Sequence, residues 1–120
     1  MFWIFSRIII LVVVLTTSPI LVAHADIRSE AKAQVEFGIL VAQKELWQEA
    51  MYRWEQAVKI DPSYAAAWNN LGIACEREGL FDRASDAYEK ALNLEPNNTL
   101  IQQNYDLFRE VNDRLRQNAR

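Results

Sequence analysis

The side chains that could do chemistry in this chain are few and scattered. Its one histidine is His24 and its one cysteine is Cys75. Cys75 has no adjacent pattern of bases to hold a thiolate, so it reads as a small hydrophobe filling a helical interior. Glu76, Glu78, Asp82 and Asp86 form a run of carboxylates of the kind that makes a solvated helix face, not an acid–base pair. No glycine-rich phosphate loop is present. With no catalytic constellation, the residues predict a protein that is not an enzyme and needs no metal or cofactor.

The elements that position these residues begin with a segment that stands apart. Residues 1–25 open with Met-Phe-Trp-Ile-Phe-Ser-Arg7, continue with the apolar run Ile8–Leu15, and end in Ala23-His24-Ala25 before Asp26. A basic residue, a short apolar core and a small-x-small site predict a secretory signal peptide cut between Ala25 and Asp26. The competing reading keeps residues 2–22 as a membrane anchor, since about 20 mainly apolar residues span a bilayer. Arg7, two threonines, a serine and Pro19 interrupt that span. The predicted location is the periplasm or the extracellular space, with the inner membrane as the alternative. Cleavage removes His24, and with it the material for histidine-based catalysis or metal binding.

The 120-residue chain has a net charge of −3, and loss of the leader removes only Arg7 from its charged side chains. A mildly acidic domain lacks the basic patch that nucleic acid requires, and anionic membrane surfaces are disfavoured for the same reason. A lone cysteine allows no intrachain disulfide, so packing must hold the fold together.

Beyond the leader the sequence is helix-forming throughout and punctuated at intervals. Helices are predicted from about Ser29, as a cap, to Gln43; over Trp47–Ile60; over Tyr64–Arg77; over Asp82–Leu94; and from Thr99 to about Arg116. Pro62 and Pro96 end the second and fourth, and Gly79 suits the left-handed residue of a turn. The last helix carries Leu100, Ile101, Tyr105, Phe108, Val111 and Leu115 as one apolar stripe. Gln102, Gln103, Asp106, Arg109, Asp113 and Arg116 lie opposite, the composition of a cap.

These helices repeat at a lag of 34 residues. Ala31, Ala33, Gly38, Ile39, Leu46, Ala50, Glu55, Ala57 and Pro62 recur as Ala65, Ala67, Gly72, Ile73, Leu80, Ala84, Glu89, Ala91 and Pro96. The second copy reads Trp68-x2-Leu71-Gly72-x2-Cys75, then Ala84-x3-Tyr88, then Pro96. It resembles the tetratricopeptide repeat, whose pattern is W-x2-L-G-x2-Y, A-x3-F and P. The first copy is looser, with Gln34, Phe37 and Val41 in place of Trp, Leu and Tyr. The resemblance implies an all-α solenoid of helical hairpins, with repeats over 31–64 and 65–98 and a capping helix over 99–118.

The resemblance also implies a function, the binding of a protein or peptide in a groove lined by the first helix of each hairpin. Carried onto this sequence, the groove residues are Lys32, Val35, Ile39, Ala66, Asn69, Asn70, Ile73, Gln103 and Leu107. Alternatively, Ile39 and Ile73 pack against each other between repeats. One subtype clamps acidic carboxy-terminal tails of cytosolic chaperones with paired basic residues and an asparagine. Its equivalents here are Val35, Ile39, Asn70, Gln103 and Leu107, of which only Asn70 fits. Without cations an acidic tail loses its charge-assisted bonds. Small exported proteins of this kind serve assembly of envelope, secretion or pilus machinery, and that is the role the resemblance suggests. Two repeats are few for independent stability. The capping helix or self-association through the first helix would supply the missing layer, with Ala31, Val35, Leu40 and Val41 as the residues concerned. Tyr52 points outward by register with Asp86.

Overall fold

A computed structural model describes residues 19–120. Residues 1–18, which hold most of the predicted leader, lie outside the described residues. The described residues form five helices and no strand: α1 Pro19–Ala42, α2 Trp47–Ile60, α3 Ala65–Arg77, α4 Phe81–Leu94 and α5 Thr99–Asn118. α1 pairs with α2 and α3 with α4 as hairpins. α2 then packs on α3, α4 packs on α5, and α3 touches both α1 and α5. The first helices of successive hairpins thus stand side by side.

Four helices lie within a residue or two of their expected bounds, and α1 does not. It begins at Pro19 instead of near Ser29, which therefore caps nothing and lies inside the helix. Proline is accommodated in a first turn, and Ala23, Ala25, Ala31 and Ala33 favour helix, so no residue from Pro19 to Gly38 stops it. α1 runs unbroken through the Ala25–Asp26 bond. At the other end of the chain, the Asn98 side chain caps α5, its Oδ1 accepting from the Leu100 and Ile101 amides at 3.1 and 3.2 Å.

Each hairpin closes over a ring set on a glycine. Trp54 of α2 lies on Gly38 of α1, and Tyr88 of α4 lies on Gly72 of α3. A β-carbon at Gly38 would fall 2.4 Å from Trp54 Nε1, and one at Gly72 would fall 2.9 Å from Tyr88 Cε1. Trp54 donates its ring N–H to the Val35 carbonyl at 3.1 Å. Tyr88 donates its hydroxyl to Glu76 at 3.0 Å. Burial, and next the Glu76 charge, push the Tyr88 phenol well above its ordinary pKa. Ala50, Ala57, Ala84 and Ala91 are fully buried beside these rings, where small side chains let the neighbouring helix in. Cys75 is buried too, its Sγ 4.0 Å from Met51 Sδ across the α2–α3 seam.

The turns repeat as well. Glu45 and Gly79, one period apart, both take positive φ, 61° and 73°. At the inter-repeat turn the Asp61 carboxylate accepts from the Ser63 amide at 3.0 Å, from the Ser63 hydroxyl and from Arg28. Burial raises the Asp61 pKa, but the hydrogen bonds from Ser63 and Arg28 outweigh it and leave the group below its ordinary value. The Arg28 guanidinium also lies over the Tyr64 ring, 4.5 Å from its centre. These contacts fasten α1 to the turn between α2 and α3.

α5 departs from its expected single stripe. Ile101 and Phe108 are buried and Tyr105 half-buried, against α4. Phe108 lies 5.5 Å from the Tyr88 ring and 6.4 Å from Phe81. Leu100, Val111 and Leu115 are exposed, with Leu107. At about 100° per residue, Leu100, Leu107 and Val111 fall on a line roughly a quarter-turn from Ile101 and Phe108, so the apolar residues form two stripes.

Two substitutions test this architecture by chemical denaturation. Gly38→Ala forces the buried Trp54 ring aside and should lower the unfolding free energy by about 1–3 kcal/mol. Glu45→Gly relieves a left-handed backbone and should raise it by up to roughly 1 kcal/mol.

Candidate interaction face

The side-by-side placement of α1, α3 and α5 brings one register position of three helices to a common face. Ile39, Ile73 and Leu107 occupy it, each 34 residues from the next. Ile39 and Leu107 are 41% and 63% exposed, and Ile73 is half-buried. The alternative in which Ile39 and Ile73 bury each other does not describe Ile39. Asn70 is half-buried and Gln103 exposed. Leu100 and Val111 extend the apolar row along α5.

Two of the expected groove residues are interior. Val35 is 4% exposed and Asn69 is 5% exposed. They share a register position, and the reason is visible at Asn69, whose Oδ1 accepts from Asn104 Nδ2 of α5 at 3.1 Å. That position is the seam between adjacent first helices. On α5 no further first helix follows among the described residues, and there the same position holds the exposed Gln103. Ala31 and Val35, expected to mediate self-association, are likewise buried.

The cations near this face are engaged. Lys32 is 3.8 Å from Glu36 and Arg114 is 2.9 Å from Glu110. The Arg77 guanidinium lies 4.9 Å from the centre of the Trp47 ring. The face is therefore an apolar row flanked by neutral amides, with Lys32 and Arg114 paired to carboxylates and Arg77 lying over a ring, not a cationic clamp.

The opposite side carries a cleft of about 460 Å³ between α2, α3 and α4. Its walls are charged, with Glu55, Lys59, Arg83, Asp86 and Lys90 among them. Arg83 bridges to Glu55 across the two hairpins, and Lys90 lies 4.4 Å from the centre of the Trp68 ring. Cys75 lies at its floor, and burial pushes the thiol pKa up, which keeps it a thiol instead of a nucleophilic thiolate. Among the described residues no three His, Cys, Asp or Glu side chains gather as metal ligands.

Comparison with known proteins fits this geometry. One family model, "TPR repeat", matches residues 40–79, and a second, "Tetratricopeptide repeat", matches residues 65–98. Tetratricopeptide repeats are thus recognised over residues 40–98, and the fold is the all-α helical solenoid of such repeats. Its fold is similar to the C-terminal TPR-containing domain of an FK506-binding protein of Plasmodium falciparum, with a TM-score of 0.70 over 88% of this chain and 70% of that one, at 20% identity. It is 29% identical over 85 residues to the chloroplastic tetratricopeptide repeat domain-containing protein PYG7 of Arabidopsis thaliana, a match covering 71% of this chain and 28% of the relative. It is 31% identical over 80 residues to the protein O-mannosyl-transferase TMTC1 of Mus musculus, covering 67% of this chain and 8% of the relative. The chain thus spans less than a third of the length of these curated relatives. Tetratricopeptide repeats generally mediate protein–protein interaction, and the fold is typically a non-catalytic scaffold, although it also occurs within larger enzymes. Among the described residues no helix is long and apolar enough to cross a membrane.

Proposed function

We propose that this chain is a non-catalytic interaction module that holds an apolar, uncharged segment of a partner protein against α1, α3 and α5. The observation that carries this reading is the exposed row Ile39–Ile73–Leu107, one apolar side chain from each first helix. Asn70 and Gln103 supply neutral hydrogen bonds beside it. Because apolar and neutral side chains occupy its centre, and Lys32 and Arg114 are paired with carboxylates, the face has little to offer an acidic tail. A photo-crosslinking side chain placed at Ile73 or Leu107 should capture a partner in the native compartment, whereas one at Asp86, on the far side, should not. Equal capture at all three positions would move the interface off this face.

The module works outside the cytoplasm, in the periplasm or a secreted setting, on the strength of the leader-like residues 1–25. In the second reading residues 2–22 stay as an inner-membrane anchor for an assembly factor of an envelope, secretion or pilus complex. The unbroken course of α1 from Pro19, with Ile20, Leu21 and Val22 exposed, favours that alternative, since such a helix would serve as a stalk. Mass spectrometry of the protein isolated from its host decides between them. A mass beginning at Asp26 supports export with cleavage, and one retaining residues 2–22 supports the anchor.

A further inference from the structure

The repeat also reveals a surface that neither hairpin covers. In the second hairpin Ala67, Leu71 and Ala74 of α3 are buried, Leu71 at 5% exposure. The corresponding residues of α5 are Ile101, Tyr105 and Phe108, of which the first and last are buried and Tyr105 half-buried. In both cases this side of the helix faces the hairpin before it. α2 packs on α3, as the Met51–Cys75 contact illustrates, and α4 packs on α5 through Phe81 and Tyr88. The same register positions on α1 are Ala33, Phe37 and Leu40. They are just as apolar, yet Ala33 is exposed, Phe37 is 45% exposed and Leu40 is 57% exposed.

Helix α2 extends this uncovered end. Arg53 stands where the second hairpin has the buried Ala87. It pairs with Glu49 at 2.8 Å, and its guanidinium lies 4.4 Å from the centre of the Phe37 ring and 5.5 Å from that of Tyr52. A long cationic side chain lying over an aromatic ring partly shields an apolar surface that lacks a packing partner. Tyr52, the odd outward aromatic of the sequence, belongs to this end. Phe37 and Ile39 are two residues apart and so point about 160° away from each other around α1. The end face and the proposed partner face are therefore separate.

We propose that this end face is the interface of a two-fold dimer, with α1 of one copy lying antiparallel on α1 of a second. The face continues the packing that already joins one hairpin to the next, so what fits it is a helix with the same apolar positions. Among the described residues α2 and α4 are already committed to that task, and α1 of a second copy offers the same apolar positions. Antiparallel pairing fits shape at Phe37 and Ala33 and charge at its ends, where Lys44 follows α1, and it leaves Glu30 facing Leu40 one turn from Lys44 of the other chain. The register that sets Phe37 of one chain against the small Ala33 of the other sets Lys44 against Asp26 of the other. A parallel pairing would place Lys44 on Lys44 and Asp26 on Asp26. Like charges facing each other across an interface disfavour that arrangement.

The test is the solution mass of the purified chain, carrying the N terminus that the cell leaves on it, by light scattering across the micromolar range. The expected result is a two-chain mass for the wild type. Ala33→Arg, at an exposed position where the fold tolerates bulk, should give a one-chain mass with unchanged helicity, as should Phe37→Glu. Leu107→Arg, on the partner face, should leave the dimer intact. Lys44→Glu should weaken the dimer, and Asp26→Lys added to it should restore it. A wild type that is monomeric throughout, even one that captures some other protein on this face, overturns the proposal. So does an Ala33→Arg chain that keeps the two-chain mass. A Lys44→Glu defect that Asp26→Lys fails to repair overturns the antiparallel register.

Discussion

Everything in this structure depends on an aromatic ring seated on a glycine. Trp54 on Gly38 and Tyr88 on Gly72 bring the two helices of each hairpin to a distance at which alanines suffice between them. The rings also carry a polar atom into the interior and satisfy it there, the indole on a backbone carbonyl and the phenol on Glu76, because an unpaired buried donor would cost about 1–3 kcal/mol. The contact recurs at a fixed period in both hairpins, although α1 is far longer than α3. Stacked at that period, equivalent residues of the two hairpins and of α5 line up across the stack.

That alignment explains why a protein with so little reactive chemistry still presents an organised surface. Ile39, Ile73 and Leu107 are brought together by periodicity, not by any local sequence signal. The stack is nearly one-dimensional, each hairpin touching only its neighbours. Each position therefore has a meaning that depends on which neighbour is present. Asn69 is interior because α5 follows it, and Gln103 is exposed because α5 is the last first helix among the described residues. Ala33, Phe37 and Leu40 are exposed because no described hairpin precedes α1.

The sequence made the hairpins legible, because Gly38 and Gly72, the alanine pairs and the two prolines are short-range constraints that any helix pair must obey. It was less informative about neighbours. Val35 and Asn69 fit a groove by position, yet both are buried in the seam between first helices. Only reading them as one register position in two copies would have shown it. Every apolar residue of α5 matches a helical period and so implies one surface, while burial is decided by α4, which covers only the Ile101–Phe108 line. The start of α1 lies upstream of the sequence expectation because Ser29 is only an acceptable cap, and a helix with no breaker runs past it.

Cys75 gives one further consequence. The chain's single thiol is sealed between α2 and α3, against Met51, with its proton held more tightly than usual. In oxidising surroundings it offers nothing for thiol exchange, which proceeds through an accessible thiolate. Folding can then run to completion without an oxidant or an isomerase, and nothing covalent locks one copy to another. Assemblies of this protein are then held by packing, hydrogen bonds and charge, not by a disulfide through Cys75.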